Sequence, residues 1–195
     1  MYNFFPMLSR MKYINRWGLM RNTRNENLCE HSLETAFIAH ALTVIKNEKF
    51  GGKLNPEHSA VLAMFHDCSE IITGDLPTPI KYHNSQIIDA YKDIETLANE
   101  KLSSLLPSEY RKQYSEILSF SGDSDSEYIE IVKSADKFSA LIKCIEERNC
   151  GNREFVKAEE STLKKITESK LPEVQFFLKE IIPEYRLSLD EMSEY

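Results

Sequence analysis

The 195-residue sequence contains only six glycines and has no clear run in which β-branched and polar residues alternate. Such alternation usually marks β-strands, and glycine supplies many of the turns between them. Apolar residues instead recur every three or four positions along most of the chain, as they do on one face of an α-helix. The sequence therefore predicts an all-α protein.

The sequence also lacks the features of secreted, membrane and nucleic-acid-binding proteins. Its four cysteines show no CxxC spacing, and no apolar run is long enough to cross a bilayer. Its first residues do not resemble a signal peptide, so we expect a cytoplasmic protein with reduced thiols. A formal net charge of −7 argues against binding to a nucleic-acid polymer, but not against a small anionic substrate.

Turn-forming residues divide the chain into predicted helices. Asn55-Pro56 is a strong helix start, because asparagine caps the first turn and proline suits its first position. The two prolines in the segment 74–79 predict a rigid loop without regular helix. A second, polar loop is expected over 119–126. The predicted helices cover residues 4–16, 28–47, 56–73, 85–106, 107–118, 126–149, 154–168 and 172–182.

The second of these helices carries Leu33, Phe37, Ala41, Val44 and Ile45, which we expect to face the core. No internal repeat or long linker separates domains. We predict one domain over 1–195, with a core at about 16–150, C-terminal helices over 152–183 and a frayed acidic tail over 184–195.

Four side chains of metal-ligating type stand out: His31, the adjacent pair His66 and Asp67, and Asp136. Two imidazoles and two carboxylates suit a divalent transition metal better than calcium or a structural zinc site. Each residue alone has a simpler interpretation. The histidines could be partly buried and satisfied by other partners, and Asp136 could be solvated or paired with a neighbouring lysine.

These residues match the metal motif of the HD-domain phosphohydrolases, an all-helical superfamily, which the chain therefore resembles. The resemblance is closer to the bacterial 5′-deoxynucleotidases. It rests on Arg16-Trp17, Glu30-His31-Ser32, the run from His66 to Glu70, and the run from Thr73 to Tyr82 that contains Gly-Asp-Leu-Pro-Thr-Pro. It implies a single-domain helical bundle of the HD type, with His31, His66, Asp67 and Asp136 as the metal ligands.

The resemblance also implies roles around the metal. Glu70, four residues after His66 on the predicted helix, would orient or deprotonate water, and Asp75 would face the reaction centre. Arg16 would grip the phosphate and take part in catalysis. The substrate contacts would come from Arg16, Trp17, Asp67, Asp75, Leu76, Pro77, Thr78 and Asp136. Without the resemblance, Glu70 reads as a surface carboxylate, Asp75 as a turn residue, Arg16 as a surface charge and Trp17 as a core residue.

The sequence thus favours a metal-dependent enzyme that hydrolyses deoxyribonucleoside 5′-monophosphates to deoxynucleoside and phosphate. The resemblance implies Co²⁺ or Mn²⁺ as the metal and a homodimer as the assembly. Two alternatives remain open at this point. One is an HD-domain phosphohydrolase acting on a cyclic nucleotide or a triphosphate, and the other is a non-catalytic module that senses a nucleotide or a metal.

Overall fold

The computed structural model describes residues 2–81, 83–120 and 126–193. Every regular element within these ranges is helical, and the β-type pairing found there is an isolated bridge between Asn15 and Asn27. The prediction of an all-α protein is therefore confirmed. No helix in the described ranges combines the length and apolar character needed to cross a membrane. The loop predicted over 119–126 lies mostly outside the described residues.

Eleven α-helices are labelled in chain order within the described ranges. A 3-10 turn, Ser9–Tyr13, follows α1; a 3-10 turn, Arg153–Phe155, precedes α9; and α10 continues through a π-turn, Phe177–Ile181, and a 3-10 turn, Ile182–Arg186. The α-helices are α1 Phe4–Leu8, α2 Leu28–Phe50, α3 Pro56–Phe65, α4 Glu70–Thr73, α5 Thr78–Lys81, α6 Ser85–Ser104, α7 Ser108–Ser119, α8 Ser126–Asn149, α9 Val156–Thr167, α10 Pro172–Phe176 and α11 Leu189–Met192.

Helix α2 is the central element, packed against α3, α8 and α10. It begins with a capping box, in which the Asn27 side chain accepts hydrogen bonds from the backbone N–H groups of Cys29 and Glu30. The Glu30 side chain in turn accepts from the Asn27 N–H, so the free donors of the first turn are satisfied. The helix ends at Gly51, whose φ of 71° is a left-handed conformation that glycine adopts without strain.

The prediction of the buried face of α2 was wrong for three of its five residues, while Ala41 and Ile45 are half-buried and pack against the core. Leu33, Phe37 and Val44 are exposed, with 50%, 67% and 37% of their surface accessible. The buried face instead contains three large apolar residues, Leu28, Ile38 and Leu42. Its other members are small or polar: His31, Ser32, Thr35, Ala36, Ala39 and Thr43. The buried stripe of α2 thus contains mainly small or polar residues, while the large side chains of Leu33 and Phe37 are exposed.

The helix predicted over 56–73 is interrupted where the histidine-aspartate pair lies. Helix α3 ends at Phe65, residues 66–69 form turns, and a single helical turn resumes at Glu70. The N–H groups of Cys68 and Glu70 donate to carbonyls three residues earlier, at Phe65 and Asp67, so the backbone is wound more tightly than an α-helix. His66 and Asp67 therefore do not keep the angle of about 100° that separates consecutive side chains in an α-helix.

Three smaller boundaries also differ from prediction. The first helix ends at Leu8 and continues as a 3-10 turn to Tyr13, short of Arg16. Thr78 and Pro79 belong to the short helix α5 rather than to a loop, which is possible because proline is tolerated in a first helical turn. The tail expected to be frayed includes α11, whose Ser188 forms a capping box with Glu191.

Two apolar clusters form the interior. One joins α2, α3, α8, α9 and α10 around Leu42, Leu62 and Phe138. The other joins α1, α6 and α7 around Phe4 and Leu102, and it also contains Cys68. Ala63, just before the turn over 66–69, belongs to the first cluster, whereas Phe65 and Cys68 belong to the second. The histidine-aspartate pair thus lies where the two clusters meet.

A buried ion pair fixes the loop between the first 3-10 turn and α2. Glu147 of α8 accepts hydrogen bonds from the Thr23 backbone N–H at 2.9 Å, the Thr23 hydroxyl at 2.8 Å and the Asn152 amide at 2.8 Å. Lys143 donates to Glu147 at 2.5 Å and to the Arg24 carbonyl at 2.6 Å. These bonds lower the pKa of Glu147 to about 2, although burial alone would raise it.

We expect Glu147→Gln to destabilise the protein by roughly 2–3 kcal/mol near neutral pH, because the amide cannot replace a buried carboxylate that accepts hydrogen bonds from Lys143 and several other donors. The pKa of Glu147 is lowered by folding, so the stabilisation is complete above about pH 4.5 and is lost as the pH falls toward about 2. Urea denaturation at several pH values measures this. Glu146→Gln, at an exposed position of the same helix, is the control. An equal effect of both substitutions, or an effect of Glu147→Gln that does not shrink in acid, would contradict this assignment.

Candidate metal centre

Three of the predicted ligands converge at the junction of the two apolar clusters. One ligand atom each from His31, His66 and Asp67 lies within 4.8 Å of the others. The Asp67 Oδ2 atom is 3.0 Å from His66 Nε2 and 3.4 Å from His31 Nε2. His31 is fully buried on α2, and His66 and Asp67 are half-buried in the turn after α3. Two separate parts of the chain therefore supply one compact set of two nitrogens and one oxygen.

Asp136, the fourth predicted ligand, lies at the edge of this set. Its Oδ1 atom is 3.2 Å from His31 Nε2, but it is not one of the three residues whose ligand atoms are all mutually close. Its side chain is 41% exposed and faces His31 and Arg16 rather than the neighbouring lysines. The alternative that Asp136 pairs with Lys133 or Lys137 is thus not the arrangement found.

Each histidine is oriented through its other ring nitrogen. His66 Nδ1 is 2.7 Å from the Ala63 carbonyl oxygen, which can only accept, so this nitrogen carries the proton. His31 Nδ1 is 3.0 Å from the Ser139 hydroxyl. Both Nε2 atoms are buried and lack a partner of hydrogen-bonding geometry among the described residues, although the Asp67 carboxylate is close. Two buried imidazole nitrogens aimed at one carboxylate form a donor set that fits a divalent metal ion.

The charges in the cluster are strongly coupled. Burial opposes an imidazolium at His66, but the Asp67 carboxylate beside it outweighs burial and raises the pKa of His66 to about 9. Burial likewise opposes a charged Asp67, yet the charge on His66 and the nearby imidazole of His31 hold the pKa of Asp67 well below its ordinary value. The pocket therefore favours a negative carboxylate and a compensating positive charge next to it, which a metal ion can also supply.

Arg16 is packed among the acidic residues of the cluster. Its guanidinium approaches Glu26 at 3.4 Å, Asp67 at 3.4 Å and Asp136 at 4.0 Å, and its side chain is only 12% exposed. Burial lowers the pKa of an arginine, but these carboxylates outweigh it and keep the pKa of Arg16 above its ordinary value. The alternative that Arg16 is a surface charge is therefore wrong.

Glu70 and Asp75 border the same region. Glu70 is only 4% exposed and its Oε2 atom lacks a hydrogen-bond partner among the described residues, so the alternative of a surface carboxylate is wrong. Burial, reinforced by the charges of Asp67 and Asp75, raises the pKa of Glu70 to about 9, while Arg16 and Lys81 act in the opposite direction. Glu70 is thus a buried carboxyl group whose surroundings strengthen its affinity for a proton.

Trp17 follows Arg16 in a strained conformation, with a φ of 58° that non-glycine residues rarely adopt. Its indole N–H donates to Glu26 Oε2 at 2.8 Å, and its ring lies 5.3 Å from that of Phe155. The Arg16 N–H also donates to the Glu26 carbonyl at 2.9 Å. Glu26, which the sequence analysis did not single out, therefore positions both Arg16 and Trp17.

The loop that follows α4 is less fully connected to the cluster. Gly74 has a φ of 73°, which permits the sharp turn into Asp75, and Leu76 and Pro77 are half-buried. Thr78 is exposed at the start of α5. Tyr82, at the end of this motif, lies outside the described residues. The substrate contacts of Leu76, Pro77 and Thr78 stay a prediction.

Sequence reasoning also missed the residues behind His31. Glu34 and Ser139 form a hydrogen-bonded chain with its Nδ1 atom. The spacing offered a signal, because Glu34 lies three residues after His31 and Ser139 three residues after Asp136, which places each on the same helical face as a predicted ligand. Cys68, next to the histidine-aspartate pair, is a fully buried side chain of the second apolar cluster.

Comparison with known proteins agrees with this helical architecture. A TM-score of 0.81 relates the chain to an HD-domain phosphohydrolase from Listeria innocua, at 27% identity over 94% of this chain and 88% of that chain. A cyanophage S-2L HD phosphohydrolase, described as bound to dA and one catalytic Zn²⁺ ion, has the same fold, with a TM-score of 0.59 and 20% identity over 89% and 90% of the two chains. The protein is thus an HD-domain phosphohydrolase.

The particular family follows from sequence. The family model for the YfbR-like 5′-deoxynucleotidases matches residues 3–185. A 5′-deoxynucleotidase of Vibrio atlanticus is 50% identical over 191 residues, which is 98% of each chain. The chain belongs to the YfbR-like 5′-deoxynucleotidase family, as the resemblance in the sequence indicated.

Proposed function

We propose that this protein is a metal-dependent 5′-deoxynucleotidase, which hydrolyses deoxyribonucleoside 5′-monophosphates to a deoxynucleoside and phosphate. The observation that carries this proposal is a buried metal-type cluster in a chain that matches the 5′-deoxynucleotidase family over nearly its whole length. Phosphate monoester hydrolysis needs an electrophile for the phosphoryl group, a group that manages the proton of the attacking water, and a donor for the phosphate oxygens.

The metal ligands we propose are His31, His66, Asp67 and Asp136. A divalent transition metal bound there would polarise a phosphoryl oxygen and lower the pKa of a bound water. Co²⁺ and Mn²⁺ are the metals we propose, and the Zn²⁺ described for the cyanophage relative makes zinc the first competitor to test. The Nδ1 atom of each histidine is hydrogen-bonded to a group of the protein, which leaves the Nε2 lone pair free to bind the metal.

Glu70 is the residue we assign to proton transfer. It is buried beside the cluster and is not part of the ligand set, so it is free to hold or release the proton of the attacking water. Asp75 is close enough to influence the charge state of both Glu70 and Arg16. We propose that Asp75 shares the work of orienting that water.

Arg16 and Trp17 are the residues we assign to substrate binding. The planar guanidinium of Arg16 can donate two parallel hydrogen bonds, one to each of two phosphate oxygens, and burial strengthens such hydrogen bonds. Trp17 offers an aromatic surface for the sugar or base. The segment from Asp75 to Thr78 completes the proposed sugar site, where a 2′-hydroxyl without a partner would cost on the order of 1–3 kcal/mol.

A panel of nucleotides separates this proposal from its two rivals. We expect release of phosphate from dAMP, dGMP and dTMP, with kcat/KM roughly ten- to a hundred-fold lower for AMP because its 2′-hydroxyl is not accommodated. The measurement is phosphate release with Co²⁺, Mn²⁺ or Zn²⁺ supplied in turn. Turnover only of cyclic nucleotides or triphosphates would favour another phosphohydrolase, and binding without any turnover would favour a sensor.

Glu70→Gln tests the assignment of proton transfer. The substitution keeps the size of the side chain but removes its ability to take a proton, so we expect kcat to fall roughly 10²–10⁴-fold with the bound metal unchanged. Metal content and steady-state kinetics are measured on the same preparation. Glu57→Gln, at an exposed position of α3, is the matched control. Loss of metal from the Glu70→Gln protein would instead make Glu70 part of the ligand set or its support.

We further propose that the protein acts in the cytoplasm as a homodimer. The support for a dimer is the exposed apolar stripe of α2, in which Leu33, Phe37 and Val44 recur at spacings of four and seven residues. A two-fold axis would pack this stripe against its own copy, since the same surface then serves both subunits.

Phe37→Glu tests the proposed dimer. A charge in the middle of the stripe would be buried against its own symmetry mate, so we expect a monomer in sedimentation velocity where the unmodified protein is a dimer. Leu163→Glu, on α9, is the control. A dimer that persists in Phe37→Glu would place the interface elsewhere.

A further inference from the structure

The partner of His31 differs in kind from the partner of His66. His66 is oriented by a backbone carbonyl, whereas His31 is oriented by a side chain from another helix, Ser139 of α8. Ser139 in turn donates its hydroxyl proton to the Glu34 carboxylate at 2.5 Å. Because a hydroxyl has a single proton, Ser139 must accept from His31, so the proton of a neutral His31 lies on Nδ1.

The chain of hydrogen bonds joins α2, which carries His31, to α8, which carries Asp136. His31 and Glu34 lie on adjacent turns of α2, and Asp136 and Ser139 lie on adjacent turns of α8. His31 and Ser139 are fully buried, so water does not compete for the hydroxyl that joins them. Glu34 is half-buried at the outer end of the chain. The orientation of His31 therefore depends on a residue that lies outside the ligand set and does not reach the cluster.

We infer that Glu34 and Ser139 are positioning residues, which act through His31 to set the metal affinity of the site. Their role is to hold the imidazole in one tautomer and one orientation, with Nε2 as the metal-binding atom. An intervening serine takes the place of the direct contact between carboxylate and histidine that many metal sites use. This inference rests on the metal site proposed above.

Mn²⁺ binding tests the inference without any need for turnover. We expect Ser139→Ala to bind Mn²⁺ roughly 10- to 100-fold more weakly than the unmodified protein, and Glu34→Gln to be weakened in the same direction. The free Mn²⁺ is measured by electron paramagnetic resonance during titration of the metal-free protein. Saturating Mn²⁺ should restore most of kcat with an unchanged KM for dAMP, because the residues act on the metal and not on the nucleotide.

Control variants distinguish loss of the relay, which is the hydrogen-bonded chain from His31 through Ser139 to Glu34, from a general loss of stability. Ser134→Ala removes a buried hydroxyl from the same helix, where it donates to the Glu130 carbonyl, and Glu48→Gln removes an exposed charge from α2. We expect both to bind Mn²⁺ as the unmodified protein does. Ser139→Thr keeps the hydroxyl and should bind more tightly than Ser139→Ala.

The double variant Glu34→Gln/Ser139→Ala makes the test specific. If Glu34 acts only through Ser139, the double variant binds Mn²⁺ no more weakly than Ser139→Ala alone. Additive losses, unchanged affinity in Ser139→Ala, or equal losses in Ser134→Ala would each overturn the inference. If Ser139→Ala does not fold, unchanged affinity in Glu34→Gln overturns it in the same way.

His31→Ala distinguishes a failure of this inference from a failure of the proposed metal site. Unchanged Mn²⁺ affinity in His31→Ala would remove His31 from the ligand set, and the relay would lose its purpose. Loss of affinity in His31→Ala with unchanged affinity in both relay variants would leave the metal site standing and overturn the relay alone.

Discussion

The Asp67 carboxylate is the point on which the site converges. One of its oxygens lies within 3.4 Å of nitrogens from His31, His66 and Arg16, which come from three different parts of the chain. A buried carboxylate is stable only when paired, and here each of its neighbours carries or can carry positive charge. The ends of α2 and α3 and the loop before α2 must therefore all be in place for this one group to be stable.

The fold places these groups around Asp67 by burying polar residues near the site. Helix α2 turns a face of small and polar residues toward its neighbours and leaves Leu33 and Phe37 outside. The Glu147 and Lys143 pair likewise lies in the interior, where it holds the loop that begins with Arg16 and Trp17. Much of the interior around the site thus holds the proposed metal ligands and the proposed substrate-binding residues in place, while the apolar clusters on either side supply the packing.

Sequence alone predicted the helical class, most helix positions and a set of ligands of which three converge. It succeeded there because helix periodicity and capping residues are local signals. It failed on the interruption after Phe65, because the tight turn is set by packing between two clusters. It also failed on Leu33, Phe37 and Val44 of α2, because small and polar residues take most of the buried positions of that helix. Glu26 was missed since its partners, Arg16 and Trp17, are brought to it by loop closure. The division into a single domain stays a prediction.

A crystal structure of the protein grown with Mn²⁺, with anomalous scattering measured for that ion, tests the central claim most directly. The account predicts one strong anomalous peak in contact with the Nε2 atoms of His31 and His66 and with the carboxylates of Asp67 and Asp136. A peak bound without either histidine, or no peak at this cluster under conditions in which the enzyme turns over dAMP, would contradict it.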